Sequence, residues 1–403
     1  METTGKIKML YLVSGRSAAS QNIGRKISEI VKLFGRMACV TLVCGGDIPG
    51  GVGSSPSASG PGAIAEYHAK WYRKNALLNF FTRSFSELKD LYHNFRTYRY
   101  LSNRRDEWGL VWERSSRLHW AGLLYARRHS LPCVLEWKDN LIAYRHSLFR
   151  PLALYVERWK NRRADFIVVE SAVLKEALVR EGVDGRKIIV ARNAVDPASF
   201  EKDEVGGRAV REELGYAPGD FVVGYAGSYA FYHDAIRIVE AADVLKRQDV
   251  SDVRWLLIGD GKDKQACERL ARERGLLGST VTMLPFQPKE KVPRFLSAMD
   301  VTLLPGSTDI ICPIKVMEYM AARSVVLVPD YECNREVITD GQNGLLFKPF
   351  DERSLAEKVM LARNDRKLCR RLGENARRTI CEAFTWDKTY GSALRIILEK
   401  IKQ

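Results

Sequence analysis

A lysine and a glutamate stand three residues apart in the stretch PIKVMEYMAA, residues 313–322. Pro313 suits a first helical turn, where a backbone N–H has no partner to lose. Ile314, Met317, Met320 and Ala321 recur at helical spacing and predict the buried stripe. Lys315 and Glu318 then fall side by side on an exposed face. The segment before them, DVTLLP (300–305), reads as a strand, so this helix starts at a strand's carboxyl end, where open α/β sheets bind ligands. Free N–H groups and the positive end of the helix dipole favour an anion there. Lys315 adds a point charge for a phosphate, and Glu318 offers acceptors to a sugar diol. Phosphate beside ribose describes a nucleotide. The alternative is an ordinary Lys/Glu pair on a solvated helix.

Such a site needs a sheet to hold it. In the first half KIKMLYLV (6–13), ACVTLVC (38–44), GLVWE (109–113), CVLEW (133–137), DFIVVE (165–170) and KIIVA (187–191) read as strands. In the second half FVVGYAG (221–227), RWLLIG (254–259), VTML (281–284), DVTLLP (300–305) and VVLVP (325–329) do the same. These are short continuous apolar runs with amphipathic helical stretches between them. That pattern marks parallel strands buried on both faces. The polar stretch EKDEVGGRAVREE (201–213) separates two βα arrays, so the fold class is α/β, with two doubly wound domains and a cleft between them. The expected limits are 1–205, 206–384 and a terminal helix over 385–403.

The 403 residues carry a net charge of +15. Residues 1–200 hold 32 Lys+Arg against 18 Asp+Glu, whereas residues 201–403 hold 32 against 31. The basic first half points to an acidic partner: a membrane surface, a phosphorylated substrate or nucleic acid. Nucleic acid would not explain Lys315, Glu318 or two complete βα domains. Eight scattered cysteines without a CxxC pair suit a reducing, cytoplasmic compartment and no disulfide or zinc framework. No run of about 18 apolar residues predicts a membrane span, and the start reads as a strand, not a signal peptide. Two insertions interrupt the first domain within 45–105. GGDIPGGVGSSPSASGPG (45–62) is a Gly/Ser/Pro loop. Residues 71–105 then carry eight Lys+Arg, two Asp+Glu and nine aromatics, among them Trp71, Phe80 and Phe81. Aromatic rings beside arginine favour the boundary between water and anionic lipid, so peripheral attachment to the inner membrane face is expected. Aromatics packed under the domain, with only the cations outside, is the other reading.

The chain resembles the retaining glycosyltransferases of family 4, of GT-B fold. The resemblance rests on the order and spacing of ADFIVVESAVLKEALVREGVDGRKIIVARNAVDPASF (164–200), GYAGSYAFYHD (224–234), LLIGDGKDK (256–264), VPRFLSAMDVTLLP (292–305), PIKVMEYMAA and REVITDGQNGLLFKP (335–349). It implies a nucleoside diphosphate-sugar donor on the second domain, no other cofactor, and a glycan or lipid-linked acceptor on the first. It implies transfer with retention, in the synthesis of surface polysaccharide or glycolipid, and a final helix that crosses back to the first domain. Glu318 becomes the second acid of the family's E-x7-E motif, and Gly227 the tight turn beside the diphosphate. The chain departs from the pattern in several places. Ile310, with Asp309 beside it, stands where the first acid belongs. Ser228 and His233 replace the usual arginine and lysine after the first strand of the second domain, so Lys315 and His233 are expected to share the diphosphate.

In the first domain Lys138 replaces a histidine and precedes Asp139, and with Glu136 these are the expected catalytic residues. Glu113 and Arg114 are expected to face the cleft. A buried salt bridge at the sheet edge is the alternative for this group. Gly24 is expected to let backbone approach sugar and phosphate. No D-x-D occurs anywhere, so a metal-independent reaction is expected. A catalytically inactive GT-B scaffold and a sugar-nucleotide 2-epimerase are the rival readings.

Overall fold

The computed structural model describes residues 5–15, 18–49, 76–104, 108–137 and 148–403. Its described residues form two compact units, one running to Arg192 and taking in Thr389–Gln403, the other Asn193–Lys388.

The first unit is built on a six-stranded sheet of order β2-β1-β3-β4-β5-β6. The strands are β1 (Lys8–Val13), β2 (Cys39–Cys44), β3 (Leu110–Arg114), β4 (Cys133–Glu136), β5 (Phe166–Val169) and β6 (Ile188–Val190). Every neighbouring pair is parallel. Met9–Leu12, Leu110–Trp112 and Cys133–Leu135 are wholly buried, which is why these strands read as unbroken apolar runs. Between them lie α1 (Arg25–Phe34), α2 (Ala76–Ser102), α3 (Ala121–Arg128), α4 (Arg150–Arg163) and α5 (Ala172–Arg180).

The second unit has a parallel sheet of order β12-β11-β10-β7-β8-β9. Its strands are β7 (Phe221–Ala226), β8 (Val253–Ile258), β9 (Val281–Leu284), β10 (Val301–Leu303), β11 (Val325–Pro329) and β12 (Leu345–Phe347). The helices are α6 (Glu204–Glu213), α7 (Ile236–Lys246), α8 (Lys264–Glu273), α9 (Val292–Ser297), α10 (Ile314–Ala321), α11 (Glu332–Arg335), α12 (Glu352–Asn364) and α13 (Arg366–Ala383). A π-helical turn (Asp387–Gly391) leads into α14 (Ser392–Lys402), which belongs to the first unit.

The units divide at Arg192, not near residue 205. The segment after Arg192 is tied into the second unit: Asn193 donates to the Cys312 carbonyl at 3.0 Å, Val195 N–H to Phe384 at 3.1 Å, and Arg377 to Pro197 at 2.7 Å. The strand β12, three residues in the LLF of 345–347, is too short for periodicity to reveal.

Candidate functional site

In the second sheet the chain runs outward from β7 through β8 to β9, then returns to place β10 on the other side of β7. The direction of winding therefore reverses between β7 and β10. Crevices outside the carboxyl ends of strands at such a switch point bind ligands. Val223 and Gly224 pair with Val301 and Thr302, so the segments leaving both strands emerge side by side.

After β7 comes the loop Gly227–His233. Its backbone is pinned by Gly227 N–H to the Ile258 carbonyl at 2.9 Å and Tyr229 N–H to Asp260 at 3.1 Å. The partner loop can lie this close because Gly259 (φ +139°) and Gly261 (φ +155°) adopt conformations that other residues rarely hold, and a side chain on either would strike Gly227 or Tyr229 backbone. Two tyrosines complete the frame. The Tyr319 hydroxyl, from α10, donates to the Ala226 carbonyl at 2.7 Å and accepts from its N–H at 3.0 Å. The Tyr225 hydroxyl donates to the Ser228 carbonyl at 2.6 Å. Neither tyrosine is singled out by sequence reasoning, since each sits in an apolar run that reads as core.

Lys315 occupies the second position of α10, just past the extended Pro313. Its ammonium lies 3.4 Å from each ring nitrogen of His233 and 5.3 Å from the centroid of the Tyr225 ring, within cation–π range. A Cβ on Gly227 would run into the Lys315 ammonium, so the glycine is what admits the lysine. The structure thus gathers Gly227, Ser228, His233 and Lys315, with Glu318 one turn further along the helix. It corrects the expected exposed face: Lys315 and Glu318 are both partly buried. It also corrects the stripe, because Val316 and Tyr319 are buried with Met317, Met320 and Ala321, while Ile314 is only partly so. The physical reason is the loop after β7, which passes beside the start of α10.

Burial lowers the Lys315 ammonium to about 7, against the pull of the neighbouring Glu318 carboxylate. Burial and the Lys315 charge lower the His233 imidazole to about 4. The His233 Nδ1 lies 2.6 Å from the Ser228 carbonyl, which can only accept, so Nδ1 carries the proton and Nε2 keeps its lone pair. An ordinarily cationic lysine is brought to about half-charge, and an imidazole is held neutral, at the mouth of a helix. An arriving dianion raises the pKa of both groups.

The first unit has its own switch point, between β1 and β3. Gly24 caps α1 in an extended conformation that any residue can adopt, and a Cβ there would meet nothing within 4 Å. Two residues on, Lys26 reaches Glu170 at 2.6 Å and stands 5.0 Å from the Tyr390 ring centroid. Glu136 is fully buried and accepts from the Tyr11 hydroxyl at 2.6 Å, from Trp112 Nε1 at 2.9 Å and from Arg114. Burial would raise this carboxyl, but Arg114, Lys26 and the two donors outweigh it and hold it below the usual range. A carboxylate so enclosed positions Arg114; it has no surface to offer a substrate. Glu113 and Arg114 are the residues expected to face the cleft. Both are buried, Glu113 because it turns to accept from Leu123 N–H at 2.9 Å, Arg114 because it turns to Glu136. Lys138 and Asp139 lie outside the described residues. Lys26, Glu170 and Tyr390 were missed in the sequence, where nothing in their spacing links them.

Among the described residues no group of three His, Cys, Asp or Glu is placed to hold a metal ion. A groove of about 690 Å³ lies at the other, amino-terminal edge of the second sheet, between Arg208, Tyr216, Met299 and Arg370, away from Lys315.

Two doubly wound parallel sheets, one with a lysine-bearing helix start at its switch point, define a doubly wound α/β protein with a crevice of the kind that holds ligands. Within that class, residues 28–194 match the "Glycosyl transferase 4-like domain" and residues 208–379 the "Glycosyl transferases group 1" family. The two matches take in most of the chain, and the chain belongs to this family of glycosyltransferases. It is 26% identical to the alpha-D-kanosaminyltransferase of Streptomyces kanamyceticus over 63% of this chain and 67% of the relative. It is 28% identical to the D-inositol 3-phosphate glycosyltransferase of Nocardia farcinica over 56% of this chain and 51% of the relative. The match thus spans about half to two thirds of the length of these relatives. The crystal structure of Anabaena Alr3699/HepE in complex with UDP-glucose superposes with a TM-score of 0.67 at 17% identity, covering 98% of this chain and 99% of that one. The fold is accordingly GT-B, with a Rossmann-like sheet in each unit.

Proposed function

We propose that this protein transfers a sugar from a nucleoside diphosphate-sugar to a glycan or lipid-linked acceptor, with retention of anomeric configuration. The observation that carries the reading is the Lys315 ammonium set 3.4 Å from His233 at the switch point of the second sheet. There Lys315 and the N–H groups opening α10 take the diphosphate charge, and His233 Nε2 gains a proton or a donor role as that charge arrives. Glu318, one turn on, accepts the ribose hydroxyls. Charge that grows on the departing diphosphate meets donors already in place, which is how such sites lower a barrier. The leaving phosphate oxygen is the base for the acceptor hydroxyl in a front-face attack, so no protein carboxylate acts as nucleophile. The acceptor belongs at the switch point of the first unit, beside Gly24, Lys26 and Arg114. Surface polysaccharide or glycolipid synthesis is the setting that suits this chemistry.

A panel of radiolabelled UDP-, GDP- and ADP-sugars, followed for transfer and for hydrolysis, tests the reading. Release of sugar from one donor, lost in Lys315→Ala, is the expected result. Donor binding without turnover on any acceptor tried would instead mark an inactive scaffold, which the presence of Ile310 in the place of an acid favours.

A further inference from the structure

The helix α2 is built inside out. A helix on a soluble domain turns its apolar stripe to the core and its polar face to water. Here Ser84, Glu87, His93, Asn94 and Thr97 are buried, while Phe81, Phe85, Leu88, Tyr92 and Phe95 are each 50–65% exposed. The exposed five are spaced four, three, four and three residues apart. At about 100° per residue they fall within an arc of roughly 80°, one continuous stripe along the helix.

Polar contacts fix this orientation. Glu87 pairs with Arg117 at 2.9 Å. Asn94 donates to the Leu118 carbonyl and accepts from Trp120 N–H at 2.7 Å and Ala121 N–H at 3.2 Å. Asp90 lies 4.0 Å from His119. Rotating the helix to hide the stripe would break every one of these and bury the phenylalanines' place with carboxylates.

The same contacts sort the charges. Both acids of α2, Glu87 and Asp90, are turned toward Arg117 and His119. Two of its cations point the other way: Lys89 and Arg99 are exposed, and Lys89 lies 4.6 Å over the Phe85 ring. The helix α4 repeats the arrangement. Its only acid, Glu157, is buried against Lys160 at 2.6 Å, and Lys160 in turn bonds Ser115 at 2.8 Å and the Ser116 carbonyl at 3.2 Å. Outward it shows Leu152 and Tyr155 with Arg150, Arg158, Arg162 and Arg163. Both helices are therefore anchored on the segment that follows β3, and both present apolar groups flanked by cations alone.

We infer that α2, with α4 beside the same anchor, docks this protein on an anionic lipid bilayer. Phe81, Phe85, Leu88, Tyr92 and Phe95 enter the headgroup boundary, and Lys89, Arg99 and the arginines of α4 meet acidic headgroups. A second copy is the weaker occupant, because a two-fold interface opposes a surface to itself and would set these cations against each other with no outward acid to pair them. The inference stands apart from the glycosyl-transfer reading, since it needs no donor and no turnover.

Co-sedimentation of the full chain with vesicles tests it, using neutral phosphatidylcholine and phosphatidylcholine with about a third phosphatidylglycerol. Binding is expected to the anionic vesicles and to fall as salt rises from low to high. Phe85→Ser/Tyr92→Ser/Phe95→Ser should lower the partition coefficient at least tenfold. Lys89→Glu/Arg99→Glu should do the same and flatten the salt dependence, each cation near such a surface being worth about fivefold in binding. These side chains are exposed, so melting temperatures should hold; if the serine variant unfolds, the charge reversal carries the test. No binding of wild type to anionic vesicles, or equal binding by both variants, overturns the inference. So does a concentration-dependent dimer, seen by sedimentation velocity, that the serine variant abolishes while wild type ignores lipid.

Discussion

The Lys315 ammonium sits 3.4 Å from both ring nitrogens of His233. The pair is costly in isolation. Burial and the Lys315 charge keep the imidazole neutral, and burial brings the ammonium to about 7, against the pull of Glu318. A protein tolerates such a cost where a ligand repays it, which is why perturbed groups gather at functional sites.

Replacing Lys315 by Ala should weaken binding of the donor nucleotide at least tenfold, and Glu318→Ala should do so for a ribonucleotide. Loss of a charge-assisted hydrogen bond costs about 1.5–3 kcal/mol, which is roughly tenfold to a hundredfold in affinity. Titration calorimetry of folded variants against UDP, GDP and ADP reads this directly. Unchanged affinity in both would place the nucleotide elsewhere.

Donor affinity should fall as pH rises through about 7. The free ammonium titrates near there, and only its protonated form attracts phosphate. Binding above that pH must therefore take up a proton, which calorimetry in buffers of different ionisation heat detects. Lys315→Arg keeps its charge across this window and should lose the dependence. The effect on stability has the opposite slope: the folded pKa is depressed, so the cost of holding the lysine is fully present below about 7 and is relieved as pH rises toward the unfolded value near 10.5.

Gly227→Ala should fold and yet lose donor affinity. Its added methyl would run into the Lys315 ammonium and meet the Tyr225 hydroxyl at 3.2 Å, so the lysine must move. Tenfold or greater weakening with an unchanged melting temperature is the expected pattern. A large fall in melting temperature would show that the glycine serves the loop and not the lysine.

Activity should survive a chelator. The chain has no D-x-D, and in the proposed reading Lys315 with the start of α10 neutralises the diphosphate. Turnover abolished by excess EDTA and restored by manganese would contradict this.

The sequence made the sheets legible because parallel strands buried on both faces leave continuous apolar runs, as in KMLYLV of β1 and FVVGYA of β7. It made Lys315 and Glu318 legible because a charged pair after such a strand is conspicuous. It could not show that Lys315 turns inward, since that depends on where the loop of β7 passes. Nor could it show that Glu136 is sealed. A charge at a strand's carboxyl end looks the same on paper whether it meets a substrate or, as here, Tyr11, Trp112 and Arg114 from neighbouring strands. The aromatics of α2 are a third case. Helical spacing groups Phe81, Phe85, Leu88, Tyr92 and Phe95 on one face, but only the inward ties of Glu87 and Asn94 say that this face is the outer one.

Two carboxylates on adjacent strands should respond oppositely to mutation and to pH. Glu136 is charged, enclosed and matched to Arg114, so Glu136→Gln leaves a buried guanidinium short of its counter-ion. Breaking such a pair costs about 3–5 kcal/mol, and the melting temperature should fall sharply at pH 7. Because its folded pKa is depressed, its contribution is present above the unfolded value and is lost only as pH falls through the folded one. Glu113 is raised to about 7, chiefly by burial, with Lys160 and the Leu123 N–H opposing. Its folded state holds a proton that the unfolded state releases from about 4.5 upward, so this group erodes stability as pH climbs from about 4.5 to 7, by on the order of 3 kcal/mol in all. Glu113→Gln should remove that slope and leave the protein no less stable at pH 8 than wild type. Chemical denaturation of wild type and both variants at pH 5 and pH 8 separates the two. If Glu136→Gln kept wild-type stability and lost only turnover, the carboxylate would be a catalytic group after all.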